Sequence, residues 1–278
     1  MQEIKISEVR DGVMFREGAG VKLYRYIGAD RRNNSEPFLL FDYFDSDDPM
    51  DYQAGFPAHP HRGFETITYL LEGKIKHQDN KGHEGIIGPG DVQWMTAGKG
   101  VVHSEMPEPN SKRLKGLQLW LNLPAKQKLS PPAYQEFGAS ELPIEYLDNG
   151  TTIKVIAGQT MQGTRSPIVG IATDPLFLDI QLPLKAQLKQ LIPPSHQALI
   201  FVLTGEVIIQ EQGVVAGKLA LLSAGEELIM NASSSSAAHY LLIAAKKIGE
   251  PIARLGPFVM NTDEEIAEAL DDFRNNRF

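Results

Sequence analysis

Two short pairs of residues in the first half of the chain have the types and the spacing of metal ligands. His59 and His61 are separated by one residue, and so are His103 and Glu105. In an extended strand, residues i and i+2 project from the same face. If the two pairs lie on neighbouring strands, they present three nitrogens and one oxygen to a common point. The spacing therefore predicts a site for one divalent transition metal.

The ligand types restrict the metal. Neutral imidazole combined with carboxylate suits Fe(II), and also Zn, Ni, Cu or Mn. The chain has no cysteine, so thiolate sites are excluded. Four protein ligands on an octahedral ion leave two positions open, and open positions are typical of a catalytic metal rather than a structural one.

The carboxylate ligand has an alternative. Glu65 follows His61 by four residues, so it could replace Glu105 as the oxygen ligand or could orient an imidazole as a hydrogen-bond acceptor. His77, His83 and His196 have no imidazole two residues away. We interpret these three histidines as structural or solvated.

Strand-like segments dominate the chain, and 25 glycines and 18 prolines suit many turns. An internal repeat accompanies them: ITYLLEGKIKH (67–77) parallels LIFVLTGEVII (199–209), and GPGDVQWM (88–95) parallels SAGEELIM (223–230). The sequence predicts an all-β chain of two tandem antiparallel β-barrels, 1–133 and 134–278, with a short C-terminal helix. Thr262 and Glu265 form a capping box at the start of that helix.

The repeat also indicates where the metal binds. At its offsets, the four ligands correspond to Leu191, Pro193, Ala238 and Tyr240, and His239 lies one place away from the equivalent of His103. The second barrel therefore lacks the ligand set. We expect one metal per chain, in the first barrel.

The composition excludes some classes of partner. A net charge of −8 and a pI near 5.4 argue against direct nucleic-acid binding, which depends on Lys and Arg at phosphates. No segment approaches the roughly 18 apolar residues of a membrane helix, and the N-terminus lacks the apolar core of a signal peptide. We expect a cytoplasmic protein with a small-molecule or protein partner.

Several stretches closely resemble the pirin family of the cupin superfamily: PFLLFDYF (37–44), HPHRGFETITYLLEG (59–73), GDVQWMTAGKGVVHSEMP (90–107), GLQLWLNLP (116–124) and GPFVMN (256–261). The resemblance implies a bicupin, with two antiparallel β-barrels. It also implies a metal, usually iron, held by His59, His61, His103 and Glu105. This favours Glu105 over Glu65 as the oxygen ligand.

The resemblance leaves two hypotheses about function. Some pirins resemble quercetin 2,3-dioxygenases, which predicts an Fe(II)-dependent enzyme that cleaves a flavonol such as quercetin with O2. Glu105, or Glu65, would then be the catalytic base, and Phe44 and Phe56 would form apolar pocket walls. Other pirins act through protein partners, which predicts a non-enzymatic, iron- or redox-responsive regulator of transcription or of a metabolic enzyme.

Overall fold

The computed structural model describes residues 2–29 and 35–278. The first half contains the strands β1 (Ile6–Asp11), β2 (Val13–Glu17), β3 (Val21–Ile27), β4 (Phe38–Ser46), β5 (Phe56–His61), β6 (Phe64–Glu72), β7 (Ile75–Asp79), β8 (Glu84–Ile87), β9 (Val92–Thr96), β10 (Val101–Pro107), β11 (Leu114–Asn122) and β12 (Ala133–Phe137). Two single-turn 3₁₀ helices occur in this half, at Pro49–Asp51 and Ala125–Gln127.

The second half contains the strands β13 (Ile144–Tyr146), β14 (Thr152–Ala157), β15 (Leu176–Leu182), β16 (Gln187–Leu191), β17 (His196–Thr204), β18 (Glu206–Ile209), β19 (Gln212–Val215), β20 (Lys218–Leu222), β21 (Glu227–Ala232), β22 (Ala238–Lys246), β23 (Ala253–Leu255) and β24 (Phe258–Met260), and then the helix α1 (Asp263–Arg274). The prediction of an all-β chain with one short C-terminal helix is confirmed.

The strands form two barrels, and each barrel has the same pair of sheets. The first barrel combines a seven-stranded sheet, β12-β9-β6-β11-β4-β3-β2, with a four-stranded sheet, β5-β10-β7-β8. The second combines β1-β20-β17-β22-β15-β14-β13 with β16-β21-β18-β19. The sheets pair antiparallel strands but do not close into continuous cylinders. In the first barrel, Leu70 of the large sheet and Ile75 and Ile87 of the small sheet share one apolar cluster, so burial of apolar side chains holds the two sheets together.

The chain divides into two compact units whose limits differ from the predicted division at residue 134. One unit, the N-terminal barrel, comprises Val13–Ala139 and Ile248–Phe278, and the other, the C-terminal barrel, comprises Met1–Gly12 and Ser140–Lys247. Strand pairing explains the difference. β1 pairs with β20 of the C-terminal barrel, whereas β12 pairs with β9 of the N-terminal barrel.

The shared strand order corrects the alignment of the repeat. The match of 67–77 to 199–209 holds, because β6-β7 and β17-β18 occupy equivalent places. The match of 88–95 to 223–230 is wrong, because it aligns β9 with β21, whereas the equivalent of β9 is β20. Ala238 and Tyr240 lie on β22, which is equivalent to β11 and not to the ligand strand β10.

The C-terminal barrel nevertheless lacks the ligand set. On the strands equivalent to β5 and β10, the inward pairs are Leu188 opposite Met230 and Gln190 opposite Leu228. Three of these four side chains belong to the apolar core of this barrel. Within the described ranges, the C-terminal barrel contains no group of three His, Asp or Glu side chains arranged for a metal.

The predicted C-terminal helix has the predicted cap. The Thr262 hydroxyl accepts a hydrogen bond from the amide of Glu265 at 3.2 Å, and the Glu265 carboxylate accepts one from the amide of Thr262 at 3.1 Å. In residues 2–29 and 35–278, no helix has the apolar length needed to span a bilayer.

The N-terminal segment should stabilise the C-terminal barrel. Ile4 is 1% exposed and packs in that barrel's core, so Ile4→Ala should lower the free energy of unfolding by about 2–5 kcal/mol. Val9 on β1 is 40% exposed, so Val9→Ala is the matched control and should change it by less than about 0.5 kcal/mol. Equal effects of the two substitutions in urea unfolding would contradict the packing of Ile4 in the core of the C-terminal barrel.

Candidate metal centre

Three histidines meet inside the N-terminal barrel. β5 and β10 are antiparallel neighbours, with His103 directly opposite His59 and Val101 opposite His61. The ring centroids of the three histidines are 4.5–5.0 Å apart. One nitrogen from each ring lies within 4.8 Å of the others. The structure thus brings together the three imidazoles that the sequence singled out.

The environment of these rings fits a metal ion. His61 and His103 are each 2% exposed, and within the described part of the chain neither nitrogen of either ring has a hydrogen-bond partner. A buried polar atom without a partner costs about 1–3 kcal/mol. A cation that accepts one lone pair from each ring offsets this cost, and no cysteine competes for it.

The third ring has a defined tautomer. His59 Nδ1 lies 2.8 Å from the carbonyl oxygen of Pro57. Because a carbonyl only accepts, this nitrogen carries the proton and donates. The lone pair of Nε2 is therefore free to bind a metal, and the hydrogen bond holds the ring in place.

Burial keeps two of the rings neutral. Burial lowers the pKa of His61 well below 6.5, and the neighbouring charges of His103 and His59 lower it further, whereas the Pro257 carbonyl opposes the shift. Burial also lowers the pKa of His103 to about 4, against the opposing charge of Glu105. Neutral imidazoles are the form that binds metal, so these shifts favour coordination at neutral pH.

Glu105 lies on the same face of β10 as His103. It is 3% exposed and accepts hydrogen bonds from the Thr68 hydroxyl at 3.2 Å and from the Gln118 amide nitrogen at 2.8 and 3.0 Å. Thr68 and Gln118 are direct partners across β6 and β11. The carboxylate is therefore held on the same face of β10 as His103. Among the described residues, however, the group of ligand-type atoms within 4.8 Å of one another comprises the three histidines and does not include Glu105.

Glu65 points away from this site. It precedes Thr68 by three residues on a regular stretch of β6, so the two side chains project from opposite faces. Its carboxylate accepts a hydrogen bond from Thr96 at 2.8 Å, and burial raises its pKa to about 7 even though contacts with Thr96 and Trp94 lower it. The geometry does not support Glu65 as an oxygen ligand.

A close backbone contact anchors the end of the ligand strand β5. Gly63 has φ of 88°, and a β-carbon there would lie 1.9 Å from the carbonyl oxygen of Val259, so only glycine fits. The buried ammonium of Lys128 donates to the carbonyls of Gly63 and Val259 and to the side chain of Asn122, at 2.7–3.0 Å. Residues distant in sequence thus position the turn two residues beyond His61.

A cleft of about 350 Å³ opens onto the histidines. Its lining includes His59, His61, Phe56, Gln118, Trp120 and Arg254. Phe56 is thus at the cleft, as predicted, whereas Phe44 is buried and lines a smaller void beside Glu105. Arg254, Gly256 and Pro257 also line this cleft. The GPFVMN stretch (256–261), although distant in sequence from the ligand motifs, therefore contributes to the same cleft.

Arg254 carries a positive charge into this cleft. Its guanidinium lies 5.0 Å from the centre of the Trp120 ring and donates to the carbonyl of Leu39 at 3.0 Å. Among the residues described, it forms no ion pair. Burial and the charge of Arg25 lower its pKa. Sequence reasoning missed Arg254, although it stands two residues before GPFVMN.

The remaining histidines fall into two kinds. His196 contacts the carbonyl of Asp174 at 2.8 Å and the hydroxyl of Ser195 at 3.2 Å, as expected for a structural residue, and His239 contacts the carboxylate of Asp179 at 2.6 Å. His77 and His83, by contrast, lie together with Glu136 in a second group of ligand-type atoms. No spacing pattern predicts this group, because the three residues are on separate strands and turns.

Comparison with known proteins identifies the family. Residues 20–121 match the model of the Pirin family, and residues 177–278 match that of the Pirin C-terminal cupin domain. The chain belongs to the pirin family. It is 47% identical to a Pirin-like protein of Caulobacter vibrioides over 94% of each chain, and 42% identical to Pirin of Homo sapiens over 93% of this chain and 88% of the human protein. The structure resembles that of quercetin 2,3-dioxygenase from Acinetobacter baumannii, with a TM-score of 0.90, 34% identity, and coverage of 99% and 98%.

Metal retention should survive mild acid. From ordinary histidine pKa values near 6.5, the sequence predicts loss of metal below that pH. Because the pKa of His103 is about 4 and that of His61 is also lowered, protons compete for these two rings only at lower pH. The midpoint of metal loss, followed by elemental analysis after dialysis from pH 8 to pH 3.5, should lie well below pH 6.5. A midpoint at or above pH 6.5 would contradict the lowered pKa values.

Glu65 should make stability depend on pH independently of metal. Its pKa is raised from 4.5 to about 7 in the folded state, so the folded protein binds more protons than the unfolded one between these values. Stability from this group is complete below pH 4.5 and is lost as pH rises through 7, by about 3 kcal/mol. Glu65→Gln should therefore raise the Tm at pH 8 but not at pH 4.5. Parallel Tm profiles for the two proteins would show that the pKa of Glu65 is not raised in the folded state.

Proposed function

We propose that this pirin is an Fe(II)-dependent dioxygenase that cleaves a flavonol such as quercetin with O2. The observation that carries the proposal is that two of the three clustered imidazoles, His59 and His61, line a partly aromatic cleft, and that His61 and His103 have no hydrogen-bond partner among the described residues. The volume of this cleft, about 350 Å³, is in the range of small-molecule sites. The similarity to the Acinetobacter quercetin 2,3-dioxygenase supports this reaction class.

We propose His59, His61, His103 and Glu105 as the ligands. When bound, Fe(II) supplies a Lewis acid that lowers the pKa of a coordinated hydroxyl and provides an open position for O2. Zn, Ni, Cu and Mn fit the same donors, so the donor set alone does not select iron. The choice of Fe(II) rests on the proposed reaction. Thr68 and Gln118 orient the Glu105 carboxylate, and Pro57 orients His59.

The lining of the cleft can bind and orient a planar phenolic substrate. Trp120 and Phe56 offer apolar surface, and Gln118 adds a polar side chain to the lining. Arg254 presents a guanidinium without an ion-pair partner among the described residues, so it can bind an oxygen anion of the substrate. We propose Glu105, which accepts hydrogen bonds from the cleft residue Gln118, as the base that takes the hydroxyl proton.

The expected activity is a loss of quercetin's visible absorption band when the Fe(II)-loaded protein is supplied with O2. Glu105→Gln should weaken iron binding by about 10-fold or more and reduce kcat/KM at least in proportion, because the amide is a neutral and weaker ligand. Glu65→Gln is the matched control, since it removes an equally buried carboxylate on the opposite face of β6. Its iron affinity and turnover should stay close to wild type.

Two results would overturn parts of this proposal. If Glu65→Gln costs more iron affinity and turnover than Glu105→Gln does, the carboxylate assignment is wrong. If the protein holds one iron per chain but leaves quercetin and related flavonols unchanged, the dioxygenase proposal fails. The non-enzymatic, iron- or redox-responsive regulator of a protein partner would then be the better account.

A further inference from the structure

His77, His83 and Glu136 form a second cluster of ligand-type atoms in the N-terminal barrel. His77 lies in the middle of β7, His83 lies in the turn before β8, and Glu136 is on β12. Nε2 of His77 lies 2.8 Å from Oε1 of Glu136, and Nε2 of His83 lies 3.2 Å from the same oxygen. Around a tetrahedral zinc with bonds of about 2.0–2.1 Å, neighbouring ligand atoms are about 3.3 Å apart. The spacing of His83 is close to that value, the spacing of His77 is shorter, and the ligand atoms of all three residues lie within 4.8 Å of one another.

The cluster contains a buried nitrogen that hydrogen bonding does not satisfy. His77 is 2% exposed, and its Nε2 has no hydrogen-bond partner of acceptable geometry among the described residues, even though it faces Glu136. A β-carbon at residue 85 would lie 2.6 Å from this nitrogen, so Gly85 leaves the approach to it open. The proximity of Glu136 Oε1 without a hydrogen bond is what two ligands of one ion would show.

We propose that His77, His83 and Glu136 form a second metal site, which binds Zn(II) with two imidazoles, one carboxylate and water. Two nitrogens and one oxygen are a donor set that zinc accepts with a fourth position open. This site is in the same barrel as the three-histidine centre but shares no ligand with it. The proposal does not depend on the dioxygenase proposal.

The surroundings prepare the ligands for a cation. Gln93 donates to Oε1 of Glu136 at 2.6 Å, and the Tyr134 ring stacks on His83 with centroids 4.0 Å apart.

The site is accessible to solvent on one side. The side chains of His83 and Glu136 are 36% and 26% exposed, whereas two of the three rings of the first centre are almost completely buried. Zinc can thus reach the second cluster directly from water. We expect it to exchange faster there than a metal at the three-histidine centre.

The test is a zinc titration of the metal-stripped, full-length protein against a chromophoric chelator, with Co(II) absorption as a second readout of tetrahedral coordination. The wild type should bind two equivalents. His83→Ala and Glu136→Gln should each bind one, and so should His59→Ala, which removes a ligand of the other centre. His239→Ala is the matched control, because His239 contacts Asp179 and belongs to neither group of ligand-type atoms, and it should still bind two.

The outcomes separate the two sites. One equivalent in the wild type, or two equivalents in both His83→Ala and Glu136→Gln, would overturn the second site and leave the cluster as a hydrogen-bonded group. Gly85→Ala gives an independent check, because residue 85 has an ordinary backbone conformation and the added methyl would collide with His77. It should remove the same equivalent as His83→Ala. Retention of both equivalents in Gly85→Ala would place the ion elsewhere.

Discussion

The burial of imidazole nitrogens without hydrogen-bond partners is the constraint on which the first barrel depends. His61 and His103 are withdrawn from water, and within the described ranges no protein group satisfies their nitrogens. A fold that keeps such groups inside must recover the cost of desolvation. A shared cation does so, and the low pKa values of both rings keep the lone pairs available for it.

The surrounding structure serves the geometry of these rings. Antiparallel pairing of β5 with β10 places His59 opposite His103, and the spacing of two residues adds His61 on the same face. Gly63 and Lys128 join the turn after β5 to the strand β24 at Val259. The C-terminal segment therefore contributes to the cleft, although it is almost 200 residues from the histidines in sequence. The C-terminal barrel has the same strand order, but it fills the equivalent interior with apolar side chains.

The sequence predicted what depends on local spacing and on family resemblance. Patterns within a few residues predict the ligand pairs that begin at His59 and His103. Such patterns also predict the all-β fold and the capped C-terminal helix. Strand register across the sheet does not follow from such patterns, and it is register that turns Glu65 away from Glu105. Local patterns also do not show which barrel an edge strand joins. β1 pairs in the C-terminal barrel and β12 at the equivalent edge of the N-terminal barrel, so a division of the chain at one point could not describe them. The group of His77, His83 and Glu136 arises only when three separate segments meet in the fold.

The most direct test of the central claim is a crystal structure of the protein with data collected on both sides of the iron absorption edge. We expect an anomalous peak about 2.1 Å from one nitrogen of each of His59, His61 and His103. The peak should be lost in His103→Ala. Anomalous density absent from this point in metal-replete protein, with the three rings joined instead by hydrogen bonds to ordered water, would contradict the claim.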